Sequence, residues 1–186
     1  MDTFYAKDRD EWRAWLQEHH AHAKEIWLVY YRKATGKPRV SYNDAVEEAL
    51  CFGWVDSQQK GIDEERFAQR FSPRKPGSNW SEANKVRMRK LIAQGKMTAA
   101  GRAAAQGVKL DEPFEIPPDI AAALQQDAQT WRNFQAFPED YQRIRVAFIH
   151  TARNRPEEFT KRLNNLVKMT ARNKTFGYAK ELTEKT

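Results

Sequence analysis

The sequence predicts an α+β fold: a small antiparallel sheet with packed helices, followed by a small all-helical C-terminal unit. Three observations lead there. The run Glu25–Arg32 (EIWLVYYR) is aromatic, β-branched and nearly continuous, as in a strand buried on almost both faces. Trp54–Lys60 and Arg66–Ser72 flank the short loop GIDEE and read as an antiparallel hairpin. Beyond residue 117 the apolar spacing is purely helical. Tyr141, Ile144 and Phe148 share one face, and Phe159, Leu163, Leu166, Val167 and Thr170 share another.

The other elements follow from local chemistry. Asp8 with Glu11 marks a helix start, and Trp12, Trp15, Leu16 and His19 follow at helical spacing. Thr35-Gly36-Lys37-Pro38 is a turn. Ser41 with Asp44 is a second cap, with Val40 and Ala45 spaced to form a hydrophobic staple, and Gly53 ends that helix. Pro73, Pro76 and Gly77 make an irregular loop, after which Asn79 or Ser81 caps a helix that Gly95 stops. Thr98 caps a short Ala-rich helix. Pro138 and Pro156 suit helix starts. The expected organisation is an α+β unit at 1–107, a Pro-rich acidic linker at 108–118, a helical unit at 117–174 and a tail at 175–186.

With 186 residues, 40% of them hydrophobic, the chain is long enough to bury a core without disulfides or metal. No apolar run reaches the ~18 residues of a membrane span. The start MDTFYAKDRDEW has acids where a signal peptide has basic and apolar residues, so a cytoplasmic location is expected. The single cysteine, Cys51, fits a reducing compartment and reads as a buried, inert thiol.

The net charge is +7, which points to anionic partners. Segment 41–57 has no Lys or Arg, whereas 58–90 and 140–174 each hold nine basic residues. No GxGxxG, GxxxxGK[ST], CxxC or HExxH occurs, so no cofactor is expected. His19, His20 and His22 cluster at a helix end without an Asp or Cys beside them, and no metal site is expected.

The densest chemistry lies in 50–84. With Gly61–Glu65 as the loop, Lys60 faces Arg66, Gln58 faces Ala68, Asp56 faces Arg70 and Trp54 faces Ser72, all on one polar side of the hairpin. Arg74 and Lys75 follow in the Pro-framed loop, and Ser78, Asn79 and Ser81 sit at a helix start, where free N–H groups favour anions. One reading is a pocket for a small anionic or aromatic ligand. Its contacts are Trp54, Lys60, Arg70, Arg74, Lys75, Ser78, Trp80 and Asn84, with Asp56 as the orienting or acid–base carboxylate. The other reading is an ordinary Asp56–Arg70 cross-strand ion pair with packing tryptophans. Whether an enzyme is present stays open.

Leu50-Cys51-Phe52-Gly53-Trp54-Val55-Asp56-Ser57, Arg70-Phe71-Ser72-Pro73-Arg74-Lys75 and Ser78-Asn79-Trp80-Ser81-Glu82-Ala83-Asn84 together resemble the signature of the YdeI/OmpD-associated (bacteriocin-protection) family. The segments EWRAWL and IWLVYYRK fit the same pattern, and the C-terminal helices are similar to the family's second half. The resemblance implies no defined activity and no ligand; it favours a site at the signature residues. Two further readings stand beside the ligand pocket. One is a nucleic-acid-binding module on the basic C-terminal helices. The other is a protein-interaction factor in envelope or stress physiology, without catalysis.

Overall fold

Asp8 caps the first helix as its position predicts, its side chain accepting the Glu11 N–H at 2.9 Å. The computed structural model describes residues 1–184. They divide into one unit of Met1–Trp80 with Arg87–Val108, and a second of Ser81–Val86 with Lys109 onward.

The first unit opens with β1 (Thr3–Tyr5), α1 (Arg9–His19) and β2 (Ile26–Tyr31). A short 3₁₀ turn, Lys33–Thr35, ends at Gly36 with φ +65°. Ser41 then caps α2 (Tyr42–Cys51), accepting the Asp44 N–H at 3.1 Å. Gly53, at φ +75°, turns the chain into β3 (Trp54–Gly61), and β4 (Arg66–Pro73) returns. The sheet order is β1-β2-β4-β3.

Two expectations are corrected here. The sheet is mixed, not purely antiparallel: β1 pairs parallel to β2, with Thr3 opposite Trp27. Three residues are too few to display an alternating pattern, so the sequence hid this strand. The hairpin register also differs. Trp54 lies opposite Pro73 and Asp56 opposite Phe71, one residue away from the expected pairing. Beyond Asp56 the ladder resumes at Gln59 opposite Gln69, so Ser57 and Gln58 together stand against Arg70. This is a β-bulge, which bends the strand and re-aims its side chains.

The slip places Trp54 and Asp56 on a different side of the sheet from Arg70, because strand side chains alternate. One side carries Ile26, Leu28, Tyr30 and Phe71, all buried. It packs on α1, whose Trp12 ring centroid lies 5.3 Å from that of Phe71. Trp12 Nε1 donates to the Ala45 carbonyl at 3.0 Å, tying α1 to α2. Arg9 and Arg13 of α1 both donate to Glu48 of α2, which is 1% exposed. The other side holds a smaller cluster of Trp27, Val29 and Ala68, with Tyr5 against it.

Two helices follow in the chain, the first beginning in the second unit and ending in the first. Ser81 caps α3 (Glu82–Ala93), which Gly95 follows at φ +68°. Thr98 caps α4 (Ala99–Ala104) and donates its hydroxyl to the Cys51 carbonyl at 2.6 Å. The contact is close. A Cβ on Gly101 would meet the Cys51 carbonyl oxygen at 2.2 Å, and one on Gly53 would meet Ala104 Cβ at 2.8 Å.

The second unit contains α5 (Pro118–Gln125), α6 (Ala128–Ala136), α7 (Glu139–His150), α8 (Pro156–Ala171) and α9 (Gly177–Glu184). Ile120, Leu124, Phe134, Val146, Ile149 and Leu166 form one core. Phe114 and Ile116 of the expected linker pack against it, so part of that connection is bound to the helices. Residues expected as a tail form α9, whose Ala179 and Leu182 join Val86, Tyr141 and Ile144 in a second core. Residues 185–186 of that segment lie outside the described residues. Among the described residues, no helix is long and apolar enough to cross a membrane.

Two substitutions test this packing. Gly101→Ala should destabilise by about 1–3 kcal/mol, the cost of forcing a methyl into a filled contact, measured by urea unfolding. Glu48→Ala should cost about 3 kcal/mol, the low end for breaking a buried pair, because both arginines keep some solvent contact. A loss under a few tenths in either variant would contradict the contact described.

Candidate anion-binding groove

The strands of the first unit leave a groove of about 610 Å³ on the side of the sheet away from α1. Lys24, Arg70, Ser72, Arg74, Lys75, Ser78 and Asn79 supply its polar lining, with Val55 and Pro73 as apolar walls. Four of these nine side chains are cationic and none is acidic. Such a lining carries a positive potential.

Arg74 sits at the centre of the chemistry. Its backbone is fixed by donation from its N–H to the Gly53 carbonyl at 2.9 Å. Its guanidinium carbon lies over the Trp80 ring, 3.9 Å from the centroid. Nη1 donates to Ser78 Oγ at 3.3 Å and to the Asn79 carbonyl at 3.2 Å. Nη2 makes no hydrogen bond to any described residue, and no carboxylate lies within ion-pair distance. Burial pulls the Arg74 pKa below the usual guanidinium value, while the charge of Asp56 acts in the opposite direction. A partly buried cation with a neutral platform and one free N–H₂ edge is suited to a carboxylate or phosphate oxygen.

The other expected contacts fall into three groups. Lys75 and Ser78 line the groove with Arg74. Arg70 also lines it, but its Nε and Nη2 donate to Glu25 at 3.0 and 2.5 Å, not to Asp56. This pair holds the Glu25 carboxyl below the usual range. Trp80 reaches the site through its stack with Arg74. Lys60 is exposed, opposite Ala68 and beyond the bulge, outside the groove lining. Trp54 is 1% exposed, donates to the His20 carbonyl at 3.3 Å and meets Trp15 edge-on, so it is a core residue. Asp56 accepts the Tyr42 hydroxyl at 2.7 Å on the helix-facing side. Asn84 belongs to the second unit, where its N–H donates to Ser81 Oγ at 3.2 Å. Lys24 was not foreseen. It is distant from Arg70 in sequence, and only the pairing of Ile26 with Phe71 brings the start of β2 alongside the end of β4.

Residues 4–104 match a domain of unknown function, DUF8412, and residues 113–173 match the family described as "Bacteriocin-protection, YdeI or OmpD-Associated". The chain belongs to the DUF8412 family, with a YdeI/OmpD-associated domain behind it. No curated protein and no solved structure matches it. The groove lies wholly within the DUF8412 domain. So do the Leu50–Asn84 motifs, which had suggested the YdeI/OmpD-associated family, whereas the match to that family itself covers the C-terminal helices.

Other reactive groups of the DUF8412 domain are held internally. Cys51 is fully buried, and burial together with Glu48 pushes its thiol up to about 11. His19 and His20 bond through Nδ1 to the Trp15 and Leu16 carbonyls at 2.8 and 2.9 Å. Among the described residues, no group of three or more His, Cys, Asp and Glu is placed to hold a metal.

A thiolate is the reactive form of cysteine, so a thiol titrating near 11 behind a closed core is inert at neutral pH. Native protein at pH 8 should therefore react with Ellman's reagent only as fast as it unfolds. One equivalent should appear at once in denaturant. Rapid reaction of the native protein would show that α2 and α4 part readily at Cys51.

Proposed function

We propose that the DUF8412 domain binds a small anionic ligand in the groove beside β4, with Arg74 as its principal contact. The observation behind this reading is Arg74 itself: a guanidinium partly removed from water, without a carboxylate partner, beside Lys24, Arg70 and Lys75. Leaving such a charge uncompensated is costly, and an incoming oxyanion relieves the cost. Ser78 adds a hydroxyl donor next to it. Trp80 serves as the platform beneath the guanidinium, and an aromatic ligand group would extend that stack.

In this reading Asp56 has a tuning role. It lies off the groove lining and is bound by Tyr42, yet its charge reaches Arg74. A carboxylate so placed lowers anion affinity by partly neutralising the guanidinium. This reading is one of binding, with no acid–base step.

The nucleic-acid alternative draws less support. Of the nine basic residues in 140–174, Arg143, Arg153 and Arg162 pair with Glu139, Asp119 and Glu158, and Arg145 is buried. A continuous cationic face needs those side chains free.

A thermal-shift screen of the full chain against small carboxylates, organic phosphates and short oligonucleotides tests the reading. A ligand at a hundred times its dissociation constant adds about 2.7 kcal/mol of stability. Arg74→Gln should weaken any hit by about tenfold or more, the loss of a charge-assisted hydrogen bond, with unfolding unchanged in the absence of ligand. Asp56→Asn should strengthen it, as read by titration calorimetry. Hits unaffected by Arg74→Gln would remove the proposal. A response to oligonucleotides alone would favour the alternative.

A further inference from the structure

The groove beside β4 is larger than one oxyanion needs. Its volume of about 610 Å³ lies within the roughly 300–1,000 Å³ of pockets that hold whole organic ligands. Its arginines are also spread along it. Arg70, Ser72 and Arg74 all line the groove, taking every second position of β4 and the residue just beyond its end. Side chains two apart leave a strand on the same side, and a strand rises about 3.3 Å per residue, so the Cα atoms of Arg70 and Arg74 stand roughly 13 Å apart. Between them lie Ser72 and its cross-strand partner Val55, which is apolar and also lines the groove. Along one side of the strand the order is cation, uncharged middle, cation.

The two arginines differ in what answers them. Arg74 donates only to Ser78 and the Asn79 carbonyl and pairs with no carboxylate. Arg70 directs Nε and Nη2 at one oxygen of Glu25, and its Nη1 bonds to no described residue. The other Glu25 oxygen accepts from Trp27 Nε1 at 3.3 Å. This pair is open to water, with the Arg70 side chain 32% exposed and that of Glu25 42%. Ion pairs so exposed are weak, so a competing anion displaces the carboxylate at little cost.

We infer, resting on the reading that the groove binds an anion through Arg74, that its ligand is an organic dianion, two carboxylates or phosphates joined by a short apolar spacer. One anionic group lies on Arg74 and Ser78. The spacer runs over Ser72 and Val55. The second group takes the Arg70 fork, which suits a planar two-oxygen anion and which Glu25 occupies in the free protein. Glu25 is a competitor built into the chain, and only a ligand that reaches Arg70 has to displace it.

The test is titration calorimetry of the full chain at constant ionic strength with two matched series. Straight-chain monocarboxylates are compared with α,ω-dicarboxylates of the same carbon number, and alkylphosphonates with the corresponding bisphosphonates. The dianion should bind about tenfold or more tightly than its matched monoanion, the gain of a charge-assisted hydrogen bond, and one spacer length should be preferred. Arg70→Gln should remove most of that advantage, and Glu25→Gln should enlarge it severalfold. If Arg70→Gln does not fold, the Glu25→Gln ratio and the wild-type length profile decide. Monoanion and dianion binding equally, both weakened by Arg74→Gln, would overturn the dianion and leave the groove as a single-anion site. A dianion advantage equal at every length and unchanged by Arg70→Gln and Glu25→Gln would reflect charge alone and overturn it too. Binding in neither series, or binding indifferent to Arg74→Gln, would remove the groove reading itself and the dianion with it.

Discussion

Glu48 is the carboxylate on which the first unit is organised. It sits on α2 almost wholly removed from water, and two guanidiniums of α1 reach it. Arg9 also donates to Asp44 and Glu47 at 3.1 and 2.9 Å, so one turn of α1 is fixed against one turn of α2 by four carboxylate contacts. Pairs of this kind add little net stability over an apolar contact, but a shifted helix would strand a buried charge. The helix pair therefore has one low-energy position on the sheet. That position covers Ile26, Leu28, Tyr30 and Phe71, and leaves the side bearing Arg70 open.

Charge is distributed by the same logic elsewhere. Many arginines answer a carboxylate: Arg66 with Asp63, Arg70 with Glu25, Arg153 with Asp119. The chain carries 32 basic residues against 25 acidic ones, so some cations must lack partners. A surplus cation normally stays in solvent, where hydration compensates it. Arg74 and Arg145 depart from this, since both are drawn in from water and both rest on aromatic rings. Trp80 and Phe176 thus replace part of the lost hydration through their ring quadrupoles and leave the in-plane N–H groups for hydrogen bonding.

Much of the fold was legible because its signals are local. Asp8, Ser41 and Thr98 cap helices through a single side-chain oxygen, and such a contact spans three residues. The strand at Ile26–Tyr31 was visible in its composition. The register was not, because a bulge adds one residue without changing the amino-acid pattern, and the pairing of Asp56 with Arg70 was lost with it. Of the expected site, Arg74, Lys75 and Ser78 come together because they are close in the chain. Lys24 needed the β2–β4 pairing, and the burial of Trp54 needed α1, both contacts over many residues. The helix α9 was obscured by its polar composition, with Ala179 and Leu182 as its buried residues.

The bulge between Asp56 and Gln59 has one more effect. β3 is an edge strand, and Ser57, Gln58, Gln59 and Lys60 on it are exposed. A straight edge offers a regular row of free N–H and C=O groups to the edge of another molecule, which is how sheets join into aggregates. Here the row is interrupted midway, and the strand ends in a lysine and a glycine. Another chain could match the ladder for only two or three residues before falling out of step. The irregularity that separates Asp56 from Arg70 thereby also makes the β3 edge a poor template for a further strand.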